Sequence, residues 1–342
     1  MNRRTVLAGA TATLVMAATG CATSLVPGTI PSTGLSPSAS LPTPTIGLTY
    51  IPNVQFSPFY VAETDGSFTT AGVQPTLRHH GASEGLFTAI ASGQEQFVIS
   101  GGDEVLQARS EGLDLVVVAA YYRSYPVVVI VPADSSITTL ADLKGHSIGL
   151  PGKFGENWFG LQVALRSAGL TEADVKVQEI GYTQQAALAT NKVDAIVGFA
   201  NNEAVQFAVG GFATRSIPIA DGQVPLVGIC LITTAAYARD NPATVKAVAA
   251  GMLAGIRSVV ADPDRALKVS ADYVPGLSAA AAQESAKATL TATLPLWTTS
   301  EGAVDGRLDA EQWTAMADFM AAKGLTASRV DPKPAFTNAY LS

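Results

Sequence analysis

The side chains with chemistry to offer gather where apolar runs stop. The stretch Tyr50-Ile-Pro-Asn53-Val-Gln55-Phe56-Ser57 closes the first such run and supplies two amides, a hydroxyl and two rings. Rings that stack and amides that donate and accept suit recognition of a flat polar solute, with Trp158 and Tyr182 as further stacking partners. Ser100-Gly101-Gly102-Asp103 ends a second run. It reads either as a turn whose backbone N–H groups face an acceptor or anion, or as a tight turn with Asp103 as an N-cap. Pro151-Gly-Lys153-Phe-Gly-Glu-Asn157-Trp158 is a third such turn, glycine-rich but without the phosphate-loop spacing. Lys153 there is open to a phosphate, a sulfonate or plain solvent, and Asn157 is placed to cap a helix. Asn201, Asn202 and Glu203 follow a fourth run, where an acid at a helix start sits well in the dipole field.

Catalytic and metal chemistries find little support. Neither a Gly-x-Ser-x-Gly elbow nor a His/Asp/Ser arrangement is present, so no enzyme activity is expected. His79 and His80 are adjacent on an expected strand and point apart, so a shared metal is not expected, and His146 reads as a surface residue. Cys230 lies in an apolar run with no base beside it and reads as a small buried hydrophobe.

These residues need elements to hold them, and the chain alternates short strands with helices. Apolar runs predict strands at Ile46–Ile51, Val73–Leu77, Phe97–Ser100, Leu115–Tyr121 and Val127–Val131, then at Ser147–Leu150, Val175–Ile180, Ala195–Phe199 and Pro225–Ile232. Helical patterns fall between them, and from Pro242 onward the chain is mostly helical. This alternation predicts an α/β fold of two lobes, with mostly parallel sheets, helices on both faces and two crossover segments. The crossings are expected near Pro132-Ala133 and Asp221–Pro225. Lobe 1 is then 45–132 plus 226–342, and lobe 2 is 133–225. Ligands of such sheets sit beyond the carboxyl ends of the strands, which places a cleft between the lobes.

Before this body the chain carries Arg3-Arg4, an apolar run from Val6 to Ala18, and Ala18-Thr-Gly-Cys21. The run is too short to span a bilayer, so residues 1–20 read as an export signal and Cys21 as a lipidated first residue. The arginine pair is also compatible with twin-arginine export. Residues 21–44, rich in Ser, Thr, Pro and Gly, form a spacer. The expectation is a body tethered to the outer face of a membrane. The remaining chain, roughly 320 residues, exceeds what one core usually holds. The formal charge is −7, and charged residues make up only 14% against 48% hydrophobic. With no basic stripe among aromatics, nucleic acid is not an expected partner. No second apolar stretch of membrane length is expected.

Five stretches together resemble a known family. They are Tyr50–Ala62 with Gly66-Ser-Phe68 and Gly72; Ala91–Gly101 followed by Ala108–Gly112; Leu140-Ala-Asp-Leu-Lys-Gly-His-Ser-Ile-Gly149; Val193–Glu203; and Glu311-Gln-Trp313 with the tail through Asn338. From about Ile46 to the C-terminus the chain resembles an extracellular solute-binding protein of an ABC importer, with the type 2 periplasmic-binding-protein fold. It is similar to the group that holds thiamine-pyrimidine-precursor, sulfonate and nitrate binders. Ser57 stands where the pyrimidine branch often carries His. The resemblance implies a monomer that closes on a small solute and delivers it to the transmembrane subunits of a permease, with no cofactor. It implies that Glu203 accepts from an exocyclic amine while Asn202 reads ring atoms, and so a hydroxymethyl- or formylamino-pyrimidine ligand. A flavin-type ligand, or an aliphatic sulfonate or nitrate, is the alternative. A remote one is an enzyme similar to pyrimidine-precursor synthases, whose Cys-rich run this chain lacks. Only Arg78 and Arg123 are candidates to meet an anion in the cleft.

Overall fold

The computed structural model describes residues 40–81, 84–219 and 225–341, so the expectations for the signal, for Cys21 and for the spacer up to residue 39 lie outside the described residues. In chain order the strands are β1 (Thr45–Leu48), β2 (Thr76–His79), β3 (Phe97–Gly101), β4 (Leu115–Ala120), β5 (Val127–Pro132), β6 (Ser147–Leu150), β7 (Lys176–Glu179), β8 (Ala195–Phe199), β9 (Thr214–Pro218) and β10 (Ile229–Thr234). They form two sheets, ordered β2-β1-β3-β10-β4 and β7-β6-β8-β5-β9. In each sheet four strands run one way and a single strand, β10 or β5, runs against them. Both reversed strands are the first to be laid down after the chain arrives from the other sheet, so the two lobes mirror each other in construction.

β3, inside its sheet, and β4, at one edge of it, are buried along their whole length, and β5 nearly so; helices cover both sheet faces, and the tail at Phe336 and Thr337 bonds to the free edge of β4 at Val117. The edge strands β2 and β7 (Thr-Leu-Arg-His and Lys-Val-Gln-Glu) stay partly exposed and carry charge, which discourages pairing with another chain. The helices are α1 (Ser57–Thr64), α2 (Ser67–Ala71), α3 (Thr88–Ala91), α4 (Gly102–Ser110), α5 (Gly155–Ser167), α6 (Gln184–Ala189), α7 (Glu203–Val209), α8 (Ala235–Asp240), α9 (Pro242–Ala261), α10 (Pro263–Ser270), α11 (Ala280–Trp297) and α12 (Ala310–Ala322). Contrary to expectation, α9 is apolar and long enough to cross a membrane. It serves instead as a core helix, with Val245, Val248, Met252, Ile256 and Val259 buried in the first lobe.

One boundary differs from the sequence reading. β5 belongs to the second sheet, so the first crossing is Tyr121–Pro126 and not Pro132-Ala133. Two Val-rich runs separated by a short gap look like neighbours in one sheet, but Arg123-Ser124-Tyr125-Pro126 carries the chain across. β9 was not anticipated, because an edge strand with Arg215, Ser216 and Pro218 has no apolar run to betray it. The return crossing lies between Pro218 and Ile229, and residues 220–224 of it are outside the described residues. Its last part lies directly on the first crossing. A Cβ on Gly228 would sit 2.7 Å from the Ser124 carbonyl oxygen and 3.0 Å from that of Tyr122, so only glycine allows this approach.

The Trp-to-Asn tail pins the same region. Trp313 is fully buried and stacks on Phe336 with centroids 5.0 Å apart. Gln312 donates to the Leu226 carbonyl at 2.8 Å, and the Asn338 amide closes on both backbone groups of Leu308.

Candidate functional site

A cleft holding about 830 Å³, its open mouth included, lies between the two sheets. Its walls come from the segments just past the carboxyl ends of strands: Thr49 and Tyr50 after β1, His80 after β2, Tyr121 and Tyr122 after β4, Pro151 and Phe154 to Asn157 after β6, Tyr182 after β7, and Asn202 and Glu203 after β8. This is the placement that open parallel sheets dictate. Across the mouth Tyr50 of the first lobe meets Tyr182 of the second edge-on, with centroids 4.6 Å apart.

The wall of the first lobe is aromatic and internally tied. Tyr121 donates to the Gln55 carbonyl at 2.5 Å and stacks on Tyr122 at 5.0 Å. The Gln55 amide reaches the Tyr122 hydroxyl at 3.4 Å. Trp297 packs edge-on against Tyr121 from behind, which holds both tyrosines in place. Burial drives the Tyr50, Tyr121 and Tyr122 phenols well above their ordinary range, so all three are hydroxyls that can donate. His80 is buried at the cleft edge on Glu95 at 2.9 Å, and Arg78 spans Glu95 and Glu84. His79 points the other way, to the Tyr50 carbonyl and the Tyr60 hydroxyl, and burial lowers its pKa.

The second lobe contributes two glutamates from the first turns of helices. Glu203 opens α7 and is richly supplied with donors. Phe199 N–H donates to Oε2 at 2.8 Å, the Asn202 amide donates to Oε1 at 2.9 Å, and the Tyr50 hydroxyl faces it from the opposite lobe. Burial pushes its carboxyl up while these donors pull it back. Glu156 lies in the first turn of α5 and is 7% exposed, yet no hydrogen bond reaches either oxygen. Asp103, Glu104 and Tyr125 face it, and burial followed by the Asp103 charge pushes its pKa well up. Asn157 beside it donates to the Val197 carbonyl at 2.8 Å, tying α5 to β8 and not capping the helix.

Of the residues singled out in the sequence, Tyr50, Gln55, Phe56, Asn157, Tyr182, Asn202 and Glu203 line the cleft. The others do not, each for a local reason. Asn53 caps the turn Val54–Phe56 by accepting from Gln55 N–H at 2.9 Å. Ser57 is buried in the first turn of α1. The Ser100–Asp103 turn is closed on itself: Glu104 accepts from the Ser100 hydroxyl at 2.5 Å and from Gly101 N–H at 3.0 Å, which leaves no open anion site. Asp103 accepts from Glu104 N–H and is fully buried. Trp158 packs against the core under Lys153, whose ammonium lies 5.4 Å from the ring while pairing with Glu172. Arg78 and Arg123 are committed to carboxylates and stay out of the cleft. Among the described residues no Lys or Arg lines it. Thr49, His80, Glu84, Tyr121, Tyr122, Phe154 and Glu156 were missed as wall residues. Applying the strand-end rule after β4, as after β1, β6 and β8, would have found Tyr121 and Tyr122; the turn after β6 was singled out for Lys153, Asn157 and Trp158, with no role given to Glu156.

Two lobes joined by paired crossings, with an aromatic cleft at the strand ends, define a solute-binding protein of the type that serves ABC importers. Residues 53–266 match the family model described as NMT1/THI5 like, and the chain belongs to that family. It is 31% identical to the riboflavin-binding protein RibY of Chloroflexus aurantiacus, over all of this chain and 98% of that one. It is 26% identical to a formylaminopyrimidine-binding protein of Halalkalibacterium halodurans, over 89% and 92% of the two chains. Among solved structures, the alkanesulfonate-binding protein SsuA of Xanthomonas axonopodis bound to MOPS superposes with a TM-score of 0.66. It is 21% identical and covers 87% of this chain and 99% of its own, a likeness of fold.

Proposed function

We propose that this protein captures riboflavin, or a closely similar uncharged flat heterocycle, in the interlobe cleft and hands it to an ABC permease. The observation that carries this reading is the composition of the cleft. Tyr50, Phe56, Tyr121, Tyr122, Phe154 and Tyr182 offer ring faces from both lobes, two buried carboxyls stand among them, and no described cation lines the wall. A fused ring system can use aromatic faces on both lobes at once. Ribityl hydroxyls and a ring imide N–H are donors, and carboxylate oxygens accept them. A sulfonate or nitrate would meet acids where it needs cations. The full-length similarity to RibY points the same way. The crossings lying side by side at Ser124 and Gly228 are placed to act as a hinge, and closing brings both walls onto the ligand. Lipidation of Cys21 would keep the body at the outer membrane face.

An aminopyrimidine is the second reading. It is favoured by Glu203 beside Asn202 and by the formylaminopyrimidine-binding relative. Because a carboxylate has about four acceptor positions, Glu203 can take a ligand amine in addition to its protein donors.

Titration of the full chain with riboflavin, a formylaminopyrimidine, taurine and nitrate tests both. Stacking should quench riboflavin fluorescence, and ligand at a hundred times Kd should stabilise by about 2.7 kcal/mol, a rise of several degrees in Tm. A response to the pyrimidine alone selects the second reading, and a response to taurine or nitrate alone defeats both.

A further inference from the structure

Glu156 is a buried acid in the binding cleft with no cation beside it. It comes from α5 in the second lobe and lies directly over β3 and α4 of the first. A Cβ on Gly101 would overlap Glu156 Oε1 and Asp103 Oδ1 at once, so the two carboxyls converge on one point across the lobe boundary. Asp103 Oδ2 and both oxygens of Glu156 are sealed from solvent and make no hydrogen bond. Every titratable group facing Glu156 is an acid or a phenol: Asp103 and Glu104 from α4 and Tyr125 from the first crossing. The Cys230 thiol of β10 faces the same pair. Two carboxylates in contact in a dry site, with no cation, cannot both be charged.

We propose that Asp103 and Glu156 share one proton across the lobe boundary, so that the lobes are joined there carboxyl to carboxyl and ligand capture is proton-linked. This rests on the cleft being the ligand site. The proton comes from solvent when the lobes come together and returns to it when they part. No other bond is made or broken. The cleft thereby holds one negative charge at this point in place of two, spread over the shared pair. The raised pKa of both groups agrees with this geometry, burial being the first cause in each. By linkage, one proton taken up on closing weakens binding by up to tenfold per pH unit once the solvent pH exceeds the carboxyl pKa of the open form.

The test has an infrared arm and a titration arm, both on the full chain. In the infrared spectrum at pH 7.5, the C=O stretch of a protonated carboxyl should grow in as the wild type is saturated with ligand, and Glu156→Gln and Asp103→Asn should each remove that change. In riboflavin titrations from pH 6 to 9, the wild-type affinity should fall at least tenfold, with net proton uptake seen by calorimetry in two buffers, while both variants give flat profiles. The proposal is overturned if the band does not grow in the wild type on ligand saturation, or if the variants keep the wild-type pH slope. If riboflavin binds at no pH but a formylaminopyrimidine raises the band in the wild type and not in the variants, the flavin reading fails and the shared proton stands.

Discussion

Glu203 and Glu156 occupy equivalent places: both lie in the first turn of a helix that follows a strand of the second sheet, both are buried, and both border the cleft. Their surroundings are opposite. Glu203 is met by a backbone N–H, an amide and a phenol, whereas Glu156 is met by two more acids. A helix N-terminus contributes at most a modest preference for negative charge. Burial raises both carboxyls; around Glu203 the donors pull back against it, and around Glu156 the neighbouring acids add to it. The first glutamate organises the wall as an acceptor, and the second is a place where charge is avoided.

The largest effect should come from removing the well-supplied acceptor. Glu203→Gln replaces an oxygen acceptor with a donor facing donors, and urea unfolding should show a loss of about 2–3 kcal/mol. A loss below about 0.5 kcal/mol would make the two glutamates alike. Glu156→Gln should do the reverse, and in a pH-dependent way. The raised pKa means that the folded state keeps a proton which the unfolded chain gives up above about pH 4.5. Stability from this group is therefore complete in acid and is lost as pH rises toward the folded pKa. The variant, which does not titrate, should gain on the wild type by up to about 1.4 kcal/mol per pH unit through that window. Parallel stability–pH curves would remove the contrast. A smaller change is expected at the cleft mouth. Tyr182→Ala should weaken riboflavin binding by about 1 kcal/mol, near fivefold, with little change in Tm, because its ring is half-exposed and leans on Tyr50 alone. The smallest is Lys153→Ala. Its exposed pair with Glu172 is worth less than about 1 kcal/mol, and affinity for any ligand should not move, since the side chain lies outside the cleft.

The layout of the site was more legible than its membership. Periodicity located the strands and so their carboxyl ends, and from there Tyr50, Gln55, Phe56, Asn202 and Glu203 followed. Ser100, Gly101 and Asp103 obeyed the same rule and still fell outside. Glu104, one turn further on, turns back to satisfy the open N–H group, and a capping box of this kind lies among residues that also suit ligand binding. Trp158 was chosen for its ring, but helical phase turns it toward the core beneath Lys153. Tyr121 and Tyr122 look like the end of a buried strand. Only the crossing that begins there makes them cleft walls.

What this sequence determined by itself was everything that depends on near neighbours: strand and helix periods, the family of the five stretches, and the acid at the start of α7. Tertiary structure alone decided which sheet β5 joins, which strand ends face one another, and that Asp103 and Glu156, more than fifty positions apart in the chain, meet over Gly101. The physical reason is range. Backbone preference acts within a few residues, whereas desolvation and charge depend on whatever the fold brings within a few ångströms.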